Sequence, residues 1–152
     1  MLNQPTYPAD TLDPARTTGL ILCGMGGPDG PDAVQPFLRN LFSDPLIFPL
    51  PRLLAPVLAR LIAWRRAPAV RRRYLEIDPS GATPQLQTTT RQAAALAERL
   101  QERGLPTAAA VAMRYWRPYP NQAVADLLER GAEQFLVIQA YPQFSTATSG
   151  ST

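Results

Sequence analysis

The chain has 152 residues, 45% of them hydrophobic and 18% charged, with 15 basic against 12 acidic side chains and a net charge of +3. These proportions fit one globular domain with a buried core, and the mild basic excess falls short of a nucleic-acid footprint. With no histidine and one cysteine, Cys23, the chain can complete neither a Ser-His-Asp triad, nor a histidine-built metal site, nor an intramolecular disulfide, and the lone thiol fits a reducing cytosolic setting.

All fifteen basic residues are arginine. A planar guanidinium suits carboxylates and phosphates, but an Arg-, Ala- and Pro-rich chain is also what biased codon usage yields, so only clustered arginines carry information. Segment 1–18 is polar, holds three prolines and lacks the basic start and apolar core of a secretion signal; it is expected to be a disordered tail, with the domain running over 19–152.

Gly19–Cys23 (GLILC) is a short unbroken apolar run, the pattern of a parallel strand covered on both faces. Gly24, Gly26, Gly27 and Gly30 follow it, interleaved with Pro28 and Pro31. Such a turn permits close backbone approach to a ligand and equally serves as a plain tight turn, with Asp29 or Asp32 expected to cap the next helix, Ala33–Phe42. Leu53–Trp64 predicts a second helix, apolar round much of its circumference. The wider window 46–64 has the length of a membrane span but is broken by Pro49, Pro51, Arg52, Pro56 and Arg60. This helix is either deep core or an exposed lip that meets a membrane or a flat hydrophobic ligand. Arg65–Arg66 and Arg71–Arg73, on a predicted short helix closing at Tyr74, form either a solvated face or an anchor for a ligand apolar in its body and acidic at its edge.

Asp78–Pro84 (DPSGATP) is a turn by chemistry and leads into a helix over Leu86–Arg103, stopped by Gly104. Thr107–Tyr115 predicts a second strand. A helix capped by Asn121 runs through Arg130 to Gly131, and Gln134–Ala140 is the third strand. A hydroxyl-rich loop follows to Thr152. The order β-α-α-α-α-β-α-β gives an α/β, Rossmann-like parallel sheet of three strands with flanking helices and right-handed crossovers, which should bring the loops at 24–30, 114–118 and 141–152 to one edge.

With these segments in place, the chain resembles the amino-terminal half of a ferrochelatase. The resemblance is carried, in order, by GLILCGMGGPDG, VQPFLRNLFSDPLIFPLP, RRAPAVRRRY, TPQLQTTTRQ, MRYWRP and YPQFSTATSGS, from about Gly19 onward. It implies insertion of ferrous iron into a porphyrin in haem biosynthesis, a lyase reaction, on a two-domain fold of Rossmann-like halves with the macrocycle between them. By the same resemblance Met25 lies against the macrocycle, Arg65, Arg66 and Tyr74 belong to the propionate-side wall, and Thr83 stands where the family places serine before proline.

The chain departs from the family in three ways. DPSGA is two residues longer than the family's glycine turn. Thr146 replaces a cysteine that ligates an iron–sulfur cluster in some relatives, so no cluster and no other cofactor is expected, and ferrous iron enters as substrate. The family's histidine base comes from the half that would follow Thr152, so no catalytic residue and no metal ligand is identifiable here. The implied partners are the porphyrin, a second-half chain or a second copy, and a membrane surface touched through 46–64, in the cytoplasm and without nucleic acid. The alternative is a non-catalytic porphyrin- or haem-binding module, or an inactive truncated copy.

Overall fold

A computed structural model of the chain describes residues 12–151 apart from 50 and 52. Three parallel strands, β1 (Thr18–Gly24), β2 (Thr107–Met113) and β3 (Gln134–Gln139), form one sheet in the order β2-β1-β3. Thr18 pairs with Thr107 on one side and Gln134 on the other, and the register holds to the ends of the strands. All seven residues of β1 are buried. A strand walled on both faces has no solvent side, hence its continuous apolar sequence in place of an alternating one.

Three α-helices lie between β1 and β2, one fewer than the sequence predicts. They are α1 (Val34–Phe42), α2 (Ala55–Ile77) and α3 (Gln85–Glu102); α4 (Pro120–Glu129) joins β2 to β3. The helix expected at 53–64 and the short arginine helix expected after it are the single 23-residue α2, with Pro68 inside it. Proline removes the hydrogen bond to the carbonyl four residues back. The helix continues because its inner face stays packed across that point: Ala59, Ala63 and Ala67 are buried against Val34, Phe37, Leu38 and Phe42, with Val70 and Tyr74 alongside. Alanine at every fourth position lets two helices approach closely.

Two expected caps are replaced. Gly30 and Ala33 precede a short 3-10 turn (Pro31–Ala33) and α1, neither with a side-chain cap. Asp32 instead lies 3.7 Å from Arg71, whose Nε donates to the Pro31 carbonyl at 2.9 Å. Tyr119, not Asn121, is the N-cap residue of α4, with Pro120 in the first turn, and the Tyr119 N–H donates to Gln122 Oε1 at 2.8 Å. Gly104 and Gly131 end α3 and α4 as expected, both at positive φ near 80°.

One sheet face, carrying Ile21, Cys23 and Ala112, is covered by Ala123 and Leu127 of α4. On the other face, a side chain at Gly24 would meet Gln85 of α3 at 3.2 Å. Of the segment expected to be a tail, residues 1–11 lie outside the described residues. From Asp13 onward the backbone is tied to β3: Asp13 N–H donates to Gln134 Oε1 at 2.9 Å and the Arg16 guanidinium to the Glu133 carbonyl at 2.7 Å.

The α1–α2 contact is tight enough to test. Ala59 is 0% exposed, so Ala59→Leu should destabilise the fold by about 1–3 kcal/mol through overpacking, while Val57→Ala on the solvent face should stay within about 0.5 kcal/mol. Urea denaturation of both variants measures the difference.

Candidate functional site

The loops that follow the three strands meet at the carboxyl edge of the sheet, as expected. Arg114 N–H donates to the Gly24 carbonyl at 2.9 Å and Tyr115 N–H to the Met25 carbonyl at 3.0 Å, so the loop after β2 is stitched to the glycine turn after β1. Ala140 N–H donates to the Cys23 carbonyl at 2.8 Å and brings in the loop after β3. This is the edge at which open parallel sheets bind ligands.

A cavity of about 430 Å³ opens here, lined among others by Gly27, Thr83, Leu86, Arg91 and Trp116. Its wall is built by close approach. A Cβ at Gly27 would lie 2.3 Å from Thr83 Cγ2, so the glycine lets the turn after β1 touch the DPSGATP loop, and Thr83 N–H donates to the Pro28 carbonyl at 2.9 Å. Trp116 keeps its indole N–H buried without a hydrogen-bond partner, an unmet donor in the wall of a cavity.

Beside it, a second cavity of about 360 Å³ is lined by Asn40, Asp44, Arg114, Tyr115 and Tyr119 among others. Its centre is Asp44, 5% exposed. One carboxylate oxygen accepts from the Tyr115 hydroxyl at 2.7 Å, from Arg114 at 3.2 Å and from the Ser151 hydroxyl; the other accepts from Leu46 N–H at 2.8 Å. Burial alone would push this carboxyl up, but hydrogen bonds from Ser151, Tyr115 and Leu46 and the Arg114 charge outweigh it and hold it below its ordinary 3.8. Tyr115 is pushed up to about 12, first by burial and then by the carboxylate it donates to.

The sequence-derived site residues do not all gather at this edge. Thr83 lines the larger cavity, whereas Met25, just after β1, is exposed and does not line it. Arg65 and Arg66 sit exposed on α2 and line neither cavity; Arg66 lies over the Phe42 ring at 5.9 Å. Tyr74 is half-buried against the α1–α2 core, and burial raises its hydroxyl pKa. The helix expected at 53–64 is core on one face and exposed to solvent on the other. Its alanines are core, while Leu53, Leu54, Val57, Leu61 and Trp64 face solvent, Val57 at 67% and Trp64 at 63% exposure. Among the described residues no helix is long and apolar enough to cross a membrane.

Asp44, Arg91 and Trp116 were not singled out in the sequence. Asp44 stands in an ordinary Ser-Asp-Pro helix exit, and its partners lie some seventy to a hundred residues downstream. Only the Asp-Pro turn itself carries a local signal.

The network sets a pH dependence. Asp44 titrates lower in the folded chain than in the unfolded one, so its stabilisation is complete above about pH 4 and is lost as pH falls through the folded value. Tyr115 has the opposite sign, and stability is lost as pH rises from about 10 towards about 12. Asp44→Asn should cost about 1.5–3 kcal/mol at neutral pH and flatten the acid side of the stability curve, as read by denaturant titrations across pH.

The ferrochelatase family profile matches residues 17–152. Curated ferrochelatases are similar over most of the chain. That of Hyphomonas neptunium is 41% identical over 90% of this chain and 39% of its own length. That of Aquifex aeolicus is 47% identical over 88% and 41%, and that of Desulfotalea psychrophila is 48% identical over 89% and 42%. The chain thus spans roughly two fifths of the length of these relatives, 39% to 42%.

Proposed function

The chain belongs to the ferrochelatase family, and on that premise we propose that it forms one wall of a site where ferrous iron is inserted into a porphyrin in haem biosynthesis. The observation that carries this reading is the family match over residues 17–152, which takes in every element framing the sheet-edge cavity. That cavity offers an apolar wall, the Thr83 hydroxyl, the unmet Trp116 donor and the Arg91 guanidinium, a set suited to a flat apolar ring with acidic edges. Met25, Arg65, Arg66 and Tyr74 extend the wall by resemblance to the family.

Insertion removes two pyrrole N–H protons, which calls for a positioned base. Arginines are never bases at neutral pH. Two carboxylates stand at this edge: Asp29, exposed in the lining of the larger cavity, and Asp44, which is held ionised by four donors with its lone pairs engaged and so is a weak proton acceptor. The 152 residues include no histidine. On this reading, and by resemblance to the family, the base is supplied by a second segment or chain. β3 offers it a place to dock: among the described residues it pairs only with β1, and Phe135 and Val137 stay exposed on the face that α4 covers for β1 and β2.

Thr146 and the buried Cys23 fit a chain that carries no iron–sulfur cluster, with iron as substrate only. The outward stripe of α2, Val57 to Trp64, with Leu53 and Leu54 just before the helix, fits peripheral contact with a membrane from the cytoplasmic side. A second reading, a porphyrin carrier without turnover, is favoured by the absence of histidine.

Arg65→Ala, Arg66→Ala and Arg91→Ala should each weaken porphyrin binding by about 1–3 kcal/mol if they hold its acidic edges, measured by Soret absorbance and fluorescence titration. Iron or zinc insertion should be absent from this chain alone and appear when the carboxyl-terminal part of a relative is supplied. Binding with no turnover in either case leaves the carrier reading in its place, and no binding at all overturns both.

A further inference from the structure

The groove between α1 and α2 holds a small cavity of about 140 Å³, lined by Gln35, Pro36, Arg39, Arg60 and Ala63. Gln35 and Arg39 stand one turn apart on α1, and Arg60 and Ala63 one turn apart on α2, so the two guanidinium groups come from facing helices. No carboxylate lines the cavity. Like most exposed arginines among the described residues, Arg39 and Arg60 have neither an ion pair nor a side-chain hydrogen bond; what sets them apart is that they line one groove from two helices.

Gln35, Arg39 and Arg60 are exposed, so water screens much of the repulsion between the two like charges, and an anion seated between them would offset the rest. The donors present are two guanidinium forks and the Gln35 amide, which match an oxyanion able to accept from several directions at once. Size narrows the class further. The cavity is well below the roughly 300–1,000 Å³ of sites for drug-sized ligands, a size that suits one tetrahedral group better than a macrocycle or a nucleotide. Pro36 and Ala63 keep the floor of the groove short and apolar.

We propose that this groove binds a phosphate-type oxyanion, gripped by Arg39 and Arg60 from opposite helices with Gln35 as a neutral third donor. The anion can be free inorganic phosphate or the phosphodiester of a lipid headgroup. Arg60 borders the outward apolar stripe of α2, with Val57 one turn before it and Leu61 and Trp64 after it, so an anion held there sits beside side chains that a bilayer would receive. Only this lipid arm rests on the membrane-facing reading of α2. The anion site stands independently of porphyrin.

Inorganic phosphate titrated into the full chain by calorimetry at constant ionic strength should show saturable binding, weakened about tenfold or more by Arg39→Gln or by Arg60→Gln, with Arg60→Lys recovering part of it because the charge returns without the fork. Vesicles of phosphatidylglycerol and phosphatidylcholine, compared with phosphatidylcholine alone, separate the sources. If the same two glutamine variants weaken binding to the anionic vesicles and phosphate competes, while Leu61→Ser with Trp64→Ser abolishes vesicle binding but spares phosphate, the ligand is a lipid headgroup. If the variants lose phosphate but bind vesicles as before, the ligand is the free anion. The proposal is overturned if phosphate does not bind, or if Arg103→Gln, an exposed arginine at the far end of α3, loses as much as they do. Porphyrin titration of the Arg39 and Arg60 variants should be unchanged, so failure of the anion site is distinct from failure of the porphyrin reading.

Discussion

Everything in this domain hangs on β1 being a strand with no solvent side. Its seven residues are buried between two parallel neighbours and two layers of helix. A strand in that position fixes register strongly, because a slip of one residue would exchange every side chain between the two faces. Register in turn decides where the strands end, and hence which backbone groups remain free at the carboxyl edge. Gly24 and Met25 offer their carbonyls there to Arg114 and Tyr115. The functional edge is thus a direct result of how the core is aligned.

The helical layer solves a different problem. α2 must pack closely on α1 while presenting large apolar side chains outward, and it does so by sorting residues by size: alanine at 59, 63 and 67 faces in, while leucine, valine and tryptophan face out. Burying the small residues costs the helix much of the stabilisation its large ones would give in a core. Outward Val57, Leu61 and Trp64 therefore add little to the stability of this fold and leave an exposed apolar stripe along the helix.

Much of this was legible in the sequence. The strands showed as short apolar runs, the first closed by glycine, and the β-α-β order constrained the sheet to be parallel with its loops on one edge. The continuity of α2 was hidden because Pro68 and the flanking arginines look like a break; packing of Ala67 and Val70 on α1, a tertiary effect, carries the helix through. Asp44 was hidden for a related reason. Its importance comes from Arg114, Tyr115 and Ser151, which no local window contains. The misread caps at Asp29, Asp32 and Asn121 show the limit of side-chain chemistry read without backbone direction: proline and short 3-10 geometry settled those helix starts.

The pairing of β1 has a consequence for how the chain is made. Thr18 to Gly24 emerge from the ribosome early, yet their partners, Thr107–Met113 and Gln134–Gln139, come much later. Long-range parallel pairing of this kind is slow, because distant segments must close large loops before any hydrogen bond is gained. Until β2 has been made, β1 has no strand to hydrogen-bond with, and until β3 follows it has only one, so its apolar side chains stay open to non-native contacts over that interval.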